Sequence, residues 1–292
     1  MPAGILAVFN DCTPEGYQHF EGWYIREHLQ ERVGVPGFRF GRRYELVGGG
    51  DRRFFAFYEV ESPDVLSSPA YLERLNAPTA WTQETMRVAF RNSVRTVCDL
   101  RFAAGDLIGG HAAVLRADGV MAPTHETREL VLSMAGEAGI ARVQVWTASA
   151  RQTPSDTAEM KSRAKDRLAA GAFVVECLRR QDAEAVPARL AAAPPPALGI
   201  SGASVVGGLR AAVRLSRGAG ADHGVRPSPA PSRERLACNW RDESQGRALP
   251  VEVPGHGLWS RSGKSLWANG SGLMALGQTR WAKLARPNCL GQ

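Results

Sequence analysis

The feature that most constrains this chain is an order of segments that occurs twice. The run GILAVF (residues 4–9) predicts a strand. Thr13 as cap and Pro14 at the first helical position then open a helix that runs to about Val33 and stops at Val35-Pro36-Gly37. FRFGRRYELV and RRFFAFYEV, joined by Gly48-Gly49-Gly50-Asp51, predict a hairpin. A helical region broken at Pro63, Pro69 and Pro78 and the alternating run SVRTVCDLRF complete the series strand, helix, strand, strand, helix, strand. The next hundred residues repeat it. HAAVLR predicts a strand, and Pro123-Thr124 opens the helix THETRELVLSMAGEAG. Then come the strand ARVQVWTA, a polar connection with a helix over about 156–169, the strand AFVVECLRR, the helix DAEAVPARLAAA and a last strand, GLRAAVRLS. Ala138-Gly139-Ile140 falls where Pro36-Gly37-Phe38 fell, 102 residues later.

Each unit follows the split βαβ, ferredoxin-like plan, with helices on one sheet face and the other face needing cover. Two units in one chain predict an α+β protein. Its two ferredoxin-like repeats, residues 1–104 and 105–216, pack as a pseudo-dimeric α/β barrel with a ligand cavity between the sheets.

Composition narrows the class. With 292 residues and 44% hydrophobic content, global disorder is excluded. No apolar run reaches the ~18 residues of a membrane span, and the N-terminus lacks the basic region of a secretory signal. Cys12, Cys98, Cys177, Cys238 and Cys289 lie far apart with no C-x-x-C pair, so neither zinc nor a disulfide framework is expected, and the expected location is cytoplasmic. The formal charge of +7 and pI near 9.5 invite a nucleic-acid reading. Thirteen basic and five acidic residues follow Leu190, however, so the tail side carries +8 and residues 1–190 carry −1. Nucleic acid is therefore expected only through residues 217–292, which are rich in Gly, Pro, Ser and Arg and contain no Tyr or Phe. That stretch reads either as a disordered basic tail or as GC-rich DNA translated out of frame.

Trp23-Tyr24-x-x-Glu27-His28-x-x-x-Arg32, Val35-Pro36-Gly37-Phe38 and Gly41-Arg42-Arg43-Tyr44 resemble the EthD-like families of the dimeric α/β-barrel superfamily. Phe57-Tyr58-Glu59-Val60, Ser67-Ser68-Pro69-Ala70-Tyr71 and Pro78-Thr79-x-Trp81-Thr82 extend the resemblance. It covers residues 4–102 well and 108–216 weakly. It implies a barrel closed by a homodimer or, here, by one chain as a monomeric pseudo-dimer. The implied chemistry acts on small molecules without a fixed reaction: cofactor-free monooxygenation, polyketide cyclisation, dehydration, decarboxylation and isomerisation all occur among such barrels. Haem peroxidases belong there too, but the superfamily's haem sites are not visible in this sequence, and no cofactor is expected.

At 100° per residue Tyr17, Phe20, Tyr24 and His28 share one stripe of the first helix, bordered by Glu27 and Glu31. His28, with an ordinary pKa of about 6.5, is the candidate acid/base. Glu31 is placed to orient its ring, and Tyr24 to donate a hydrogen bond to a substrate carbonyl or enolate. Phe20 and Trp23 would supply a flat apolar wall. Arg42 and Tyr44 share one face of the next strand, opposite Arg43, and can hold a carboxylate or phenolate; Asn92 and Arg95 are weaker candidates. Each has a plainer reading: an ion-pair or helix-to-sheet histidine, core aromatics, a solvated strand face. The second half lacks the Trp-Tyr-x-x-x-His pattern, and its His125 sits among acids that suit a helix N-terminus. No phosphate loop, metal spacing or serine elbow occurs. The expected function is a cofactor-independent barrel enzyme acting on a small aromatic or polyketide-like molecule. The alternatives are a non-catalytic small-molecule-binding or scaffold barrel, or a nucleic-acid binder working through its tail.

Overall fold

Eight apolar runs become strands that pair edge to edge until the sheet meets itself. They do so in a computed structural model describing residues 2–193 and 195–216. β1 (Gly4–Cys12) leads into a helical rod made of α1 (Tyr17–Trp23), a π-helical turn (Tyr24–His28) and α2 (Leu29–Val33). β2 (Phe38–Gly49), β3 (Phe54–Val60), a 3-10 turn (Pro63–Ser67), α3 (Pro69–Asn76), α4 (Ala80–Val88) and β4 (Phe90–Ala104) follow. Next come β5 (His111–Ala117), β6 (Val120–Met121), α5 (His125–Ala135), β7 (Ile140–Ala148) and α6 (Ala158–Lys161). The series ends with β8 (Gly171–Cys177), α7 (Arg180–Ala192), α8 (Pro195–Leu198), β9 (Ile200–Ser201) and β10 (Ser204–Ser216).

The molecule is α+β, with a closed antiparallel barrel in the order β1-β3-β2-β10-β5-β8-β7-β4; β6 and β9 pair separately. The earlier four strands lie as β4-β1-β3-β2 and the later four as β10-β5-β8-β7, the same order of use along the chain. Two seams, β2 with β10 and β4 with β7, join the sets and leave none of the eight with a free edge. Gly37 and Gly139 show why the two stretches read alike. Both have left-handed φ (+88° and +91°) between a helix and the next strand. Their carbonyls accept the N–H of Glu61 (2.9 Å) and Leu178 (2.8 Å). A side chain at either position would be strained.

Burial divides into three layers. One cluster takes residues from all eight strands, among them Ile5, Phe55, Phe57, Trp146, Val174 and Leu209, and fills the barrel. A second lies between the first sheet and α1–α4, and a third between the later strands and α5 and α7. Alternation along each strand sends successive residues to the barrel and to the helices. The expected hollow between the sheets is thereby corrected: large aromatics occupy it. About 20 Å³ of room for water centres remains at one barrel end, beside Phe9 and Arg116, which is of single-water size.

Two local expectations also change. α1 starts one turn later than expected, after Gly16; Thr13 caps the turn leading into it, its hydroxyl accepting from Gly16 N–H (3.1 Å) and donating to the Val88 carbonyl (3.0 Å). The helix expected over 156–169 shrinks to α6 within a long irregular excursion, residues 149–170. Among the described residues no helix is long and apolar enough to cross a membrane. The tail expectation, residues 217–292, lies outside the described residues.

Candidate functional site

The first helix crosses the outer face of the first sheet, and its aromatic stripe is driven there by burial: Phe20, Trp23 and Tyr24 are all enclosed. The regular 100° step fails at the π turn, where Leu29 N–H reaches back five residues to the Tyr24 carbonyl. The widened turn brings the His28 ring against both Trp23 (centroids 4.2 Å) and Tyr24 (5.1 Å). π turns of this kind recur at functional sites.

Beneath this turn, between helices and sheet, is a cavity with about 30 Å³ of room for water centres, roughly twice what one water needs. Leu6, Val8, Met86 and Phe90 form its apolar wall; Tyr24, Tyr58, Tyr71 and His28 give it polar rings; Arg32, Arg95, Arg163 and Glu159 give it charge. Glu159 and Arg163 belong to the 149–170 excursion, which connects two strands of the later set but lies over the helices of the earlier one. Gln152 bonds the Val97 N–H and carbonyl (2.8 Å each), and Thr153 donates to the Leu66 carbonyl (3.0 Å). Arg167 forms a parallel bridge with Val94. Both stretches of chain thus build one site.

The electrostatics are one-sided, with three arginines and one glutamate facing the cavity. Arg32 bonds Glu159, and Arg163 bonds Asp166 (2.8 Å for the longer contact). His28 Nδ1, Arg32 Nη1 and Arg163 Nε are buried without a hydrogen bond. Burial, reinforced by Arg32, Arg163, Arg43 and Arg95, holds the His28 pKa well below 6.5, so the ring is neutral at pH 7 and holds an added proton only weakly. The hydroxyls of Tyr24 and Tyr58 meet at 3.0 Å. One donates to the other, leaving one O–H for a ligand oxygen. Burial raises both phenol pKa values, which keeps them protonated donors.

The sequence-predicted residues divide. His28 and Tyr24 line the cavity. Phe20 and Trp23 do not; they pack in the helix–sheet core, with Trp23 Nε1 donating to Thr82 (3.0 Å). Glu31 does not orient His28: its carboxylate bonds Arg74 and lies 4.0 Å from Arg32. Glu27 accepts from Thr79 (2.6 Å) and Thr82 (3.1 Å). Arg42 and Tyr44 point into the barrel, away from His28, and both bond Glu176 on β8, Tyr44 at 2.6 Å. Their neighbour Arg43 faces the helices, paired with Glu21 beside the Tyr24 ring. Sequence reasoning missed Tyr58, Tyr71, Glu159 and Arg163. Tyr58 and Tyr71 lay inside quoted motifs, whereas nothing local marked the last two. His125 is exposed and pairs with Glu129 (3.7 Å). No cluster able to hold a metal occurs among the described residues.

No family model matches the chain, and no curated protein matches it. Solved structures similar to it include an anthrone oxidase-like protein, 14% identical, covering 74% of this chain and 93% of that one at a TM-score of 0.44. A monooxygenase-like protein of Fusobacterium nucleatum is 10% identical, covering 74% and 95% at 0.47. Another from Lactobacillus acidophilus is 7% identical, covering 75% and 98% at 0.43. Likeness at this level leaves the chemistry to be read from the residues.

Proposed function

We propose that the chain is a cofactor-independent small-molecule barrel enzyme in which His28 is the proton acceptor. We further propose that residues 1–104 and 105–216 are ferredoxin-like repeats of the EthD-like kind. The shared strand order and the matching glycines support the repeats. The observation that carries the function is the convergence of an uncharged imidazole, whose Nδ1 has no hydrogen bond, and a tyrosine pair with a spare O–H on one cationic cavity. There the imidazole takes a proton from an acidic C–H of the ligand. The electron pair moves to the adjacent carbonyl, and the spare O–H donates to the enolate oxygen. Returning the proton at another carbon isomerises the ligand, and expelling a β-hydroxyl as water dehydrates it. The chemistry of the aromatic and apolar walls suits a small aromatic or polyketide-like carbonyl compound, while the free space itself admits only its carbonyl end.

The test is turnover across a panel of such compounds. His28→Gln should lower kcat by about 10²–10⁴-fold, the usual worth of a positioned acid/base, with the fold unchanged by circular dichroism. A substrate turned over equally fast by the variant refutes the assignment. One observation favours the second reading, a barrel that only holds its ligand: among the described residues no carboxylate orients the His28 ring. That reading expects binding without turnover.

A further inference from the structure

Five arginines are buried among the described residues: Arg32, Arg42, Arg43, Arg95 and Arg116. Four have a carboxylate partner, in order Glu159, Glu176, Glu21 and the pair Asp51 and Asp118. Arg95 has none within 4.0 Å among the described residues, although it is only 8% exposed. Its Nη2 donates to two neutral oxygens, Tyr71 Oη (3.0 Å) and Thr153 Oγ1 (3.1 Å). A buried guanidinium without a counter-charge is costly. The one carboxylate on the cavity wall, Glu159, is already engaged by Arg32.

We propose that Arg95 is the anchor for an organic anion, a carboxylate or equivalent oxyanion, and that the ligand of this site is an acid. The proposal rests on the small-molecule reading above and narrows it to acidic ligands. The surroundings agree: Arg32 and Arg163 line the same cavity, and Arg32 Nη1 and Arg163 Nε are buried without a hydrogen bond. Leu6, Met86 and Phe90 make part of the wall apolar, which favours an organic acid over an inorganic anion. About 30 Å³ of room for water centres suits a carboxylate-sized group. Arg95 also ties Thr153 of the excursion to Tyr71 of the helix layer, so the anchor sits at the joint between the two stretches that build the site.

The experiment titrates the full chain, by NMR at pH 7, with acetate against acetamide and benzoate against benzamide, pairs that differ little except in charge. At least one acid should bind about 10- to 100-fold tighter than its amide, the worth of a hydrogen bond to a charged group. Arg95→Gln should abolish that preference, bringing the acid down to the affinity of its amide, and Arg95→Lys should keep part of it. If neither acid exceeds its amide, the proposal is refuted, whether or not the variants fold. If inorganic phosphate displaces the acid as well as a second carboxylate does, the organic-anion assignment is refuted. Failure here leaves the His28 reading standing, and turnover independent of His28 leaves the acid site standing.

Discussion

Glu159→Gln tests whether the excursion and the helix layer form one site. Glu159 is 6% and Arg32 2% exposed, and their ion pair crosses from the later stretch of chain to the earlier. Removing the charge of Glu159 strands Arg32 in a buried place, and breaking a buried pair from one side costs about 3–5 kcal/mol. Glu31, 4.0 Å from Arg32 Nη1, recovers a share, so the lower end applies, about 3 kcal/mol. For a body of roughly 200 residues each kcal/mol moves Tm by about 2–4 °C, giving a fall of about 6–12 °C. Thermal denaturation followed by circular dichroism at pH 7 reads it. The double variant Glu159→Gln with Arg32→Met removes both charges and should return to within about 1 kcal/mol of the parent. A single variant melting with the parent, or a double variant no better than the single, refutes the claim that a charge pair clamps the excursion.

Two further outcomes follow from buried groups. Because the His28 pKa is lower folded than unfolded, the unfolded chain takes up a proton first as pH falls below about 6.5. The stability that neutral His28 contributes is present above pH 6.5 and lost as pH falls towards its folded value. His28→Gln should therefore flatten the acid limb of Tm against pH, and an unchanged slope sinks the idea. Inside the barrel, Glu176→Gln leaves Arg42 without a carboxylate. Urea unfolding should show a loss of about 3–5 kcal/mol, and a change below about 1 kcal/mol would mean that Arg42 is charge-compensated in some other way.

Much of the architecture was legible because it is local. The apolar runs FFAFYEV and AFVVEC mark strands wherever they pair, and Gly37 and Gly139 mark the same left-handed turn in both halves. The aromatic stripe on the first helix was legible as a buried face, and His28 with Tyr24 came from it. The role expected of Glu31 was not realised, because an i+3 spacing gives proximity but not the preferred partner, and Arg74, 43 residues away, bonds that carboxylate. Thr13 does accept the N–H three residues on, but α1 begins only after Gly16, one turn later than the Thr13-Pro14 signal predicts.

The alternation of β2 established that Arg42 and Tyr44 face away from Arg43, since side chains alternate on any strand. It could not say which face would hold the cavity. That depended on the sheet closing on itself: closure filled the inside with Phe55, Phe57 and Trp146 and left free space under the helices. Nor did sequence place Glu159 and Arg163 beside His28, because an irregular excursion has no periodicity to read and its position is set by long-range bonds, among them those to Val97, Leu66, Val94 and Arg32. Residue order determined the strands, the turns and the buried stripe, all governed by neighbours within a few positions. Long-range packing decided where charge and space coincide, because burial acts on whichever surfaces the folded chain brings together.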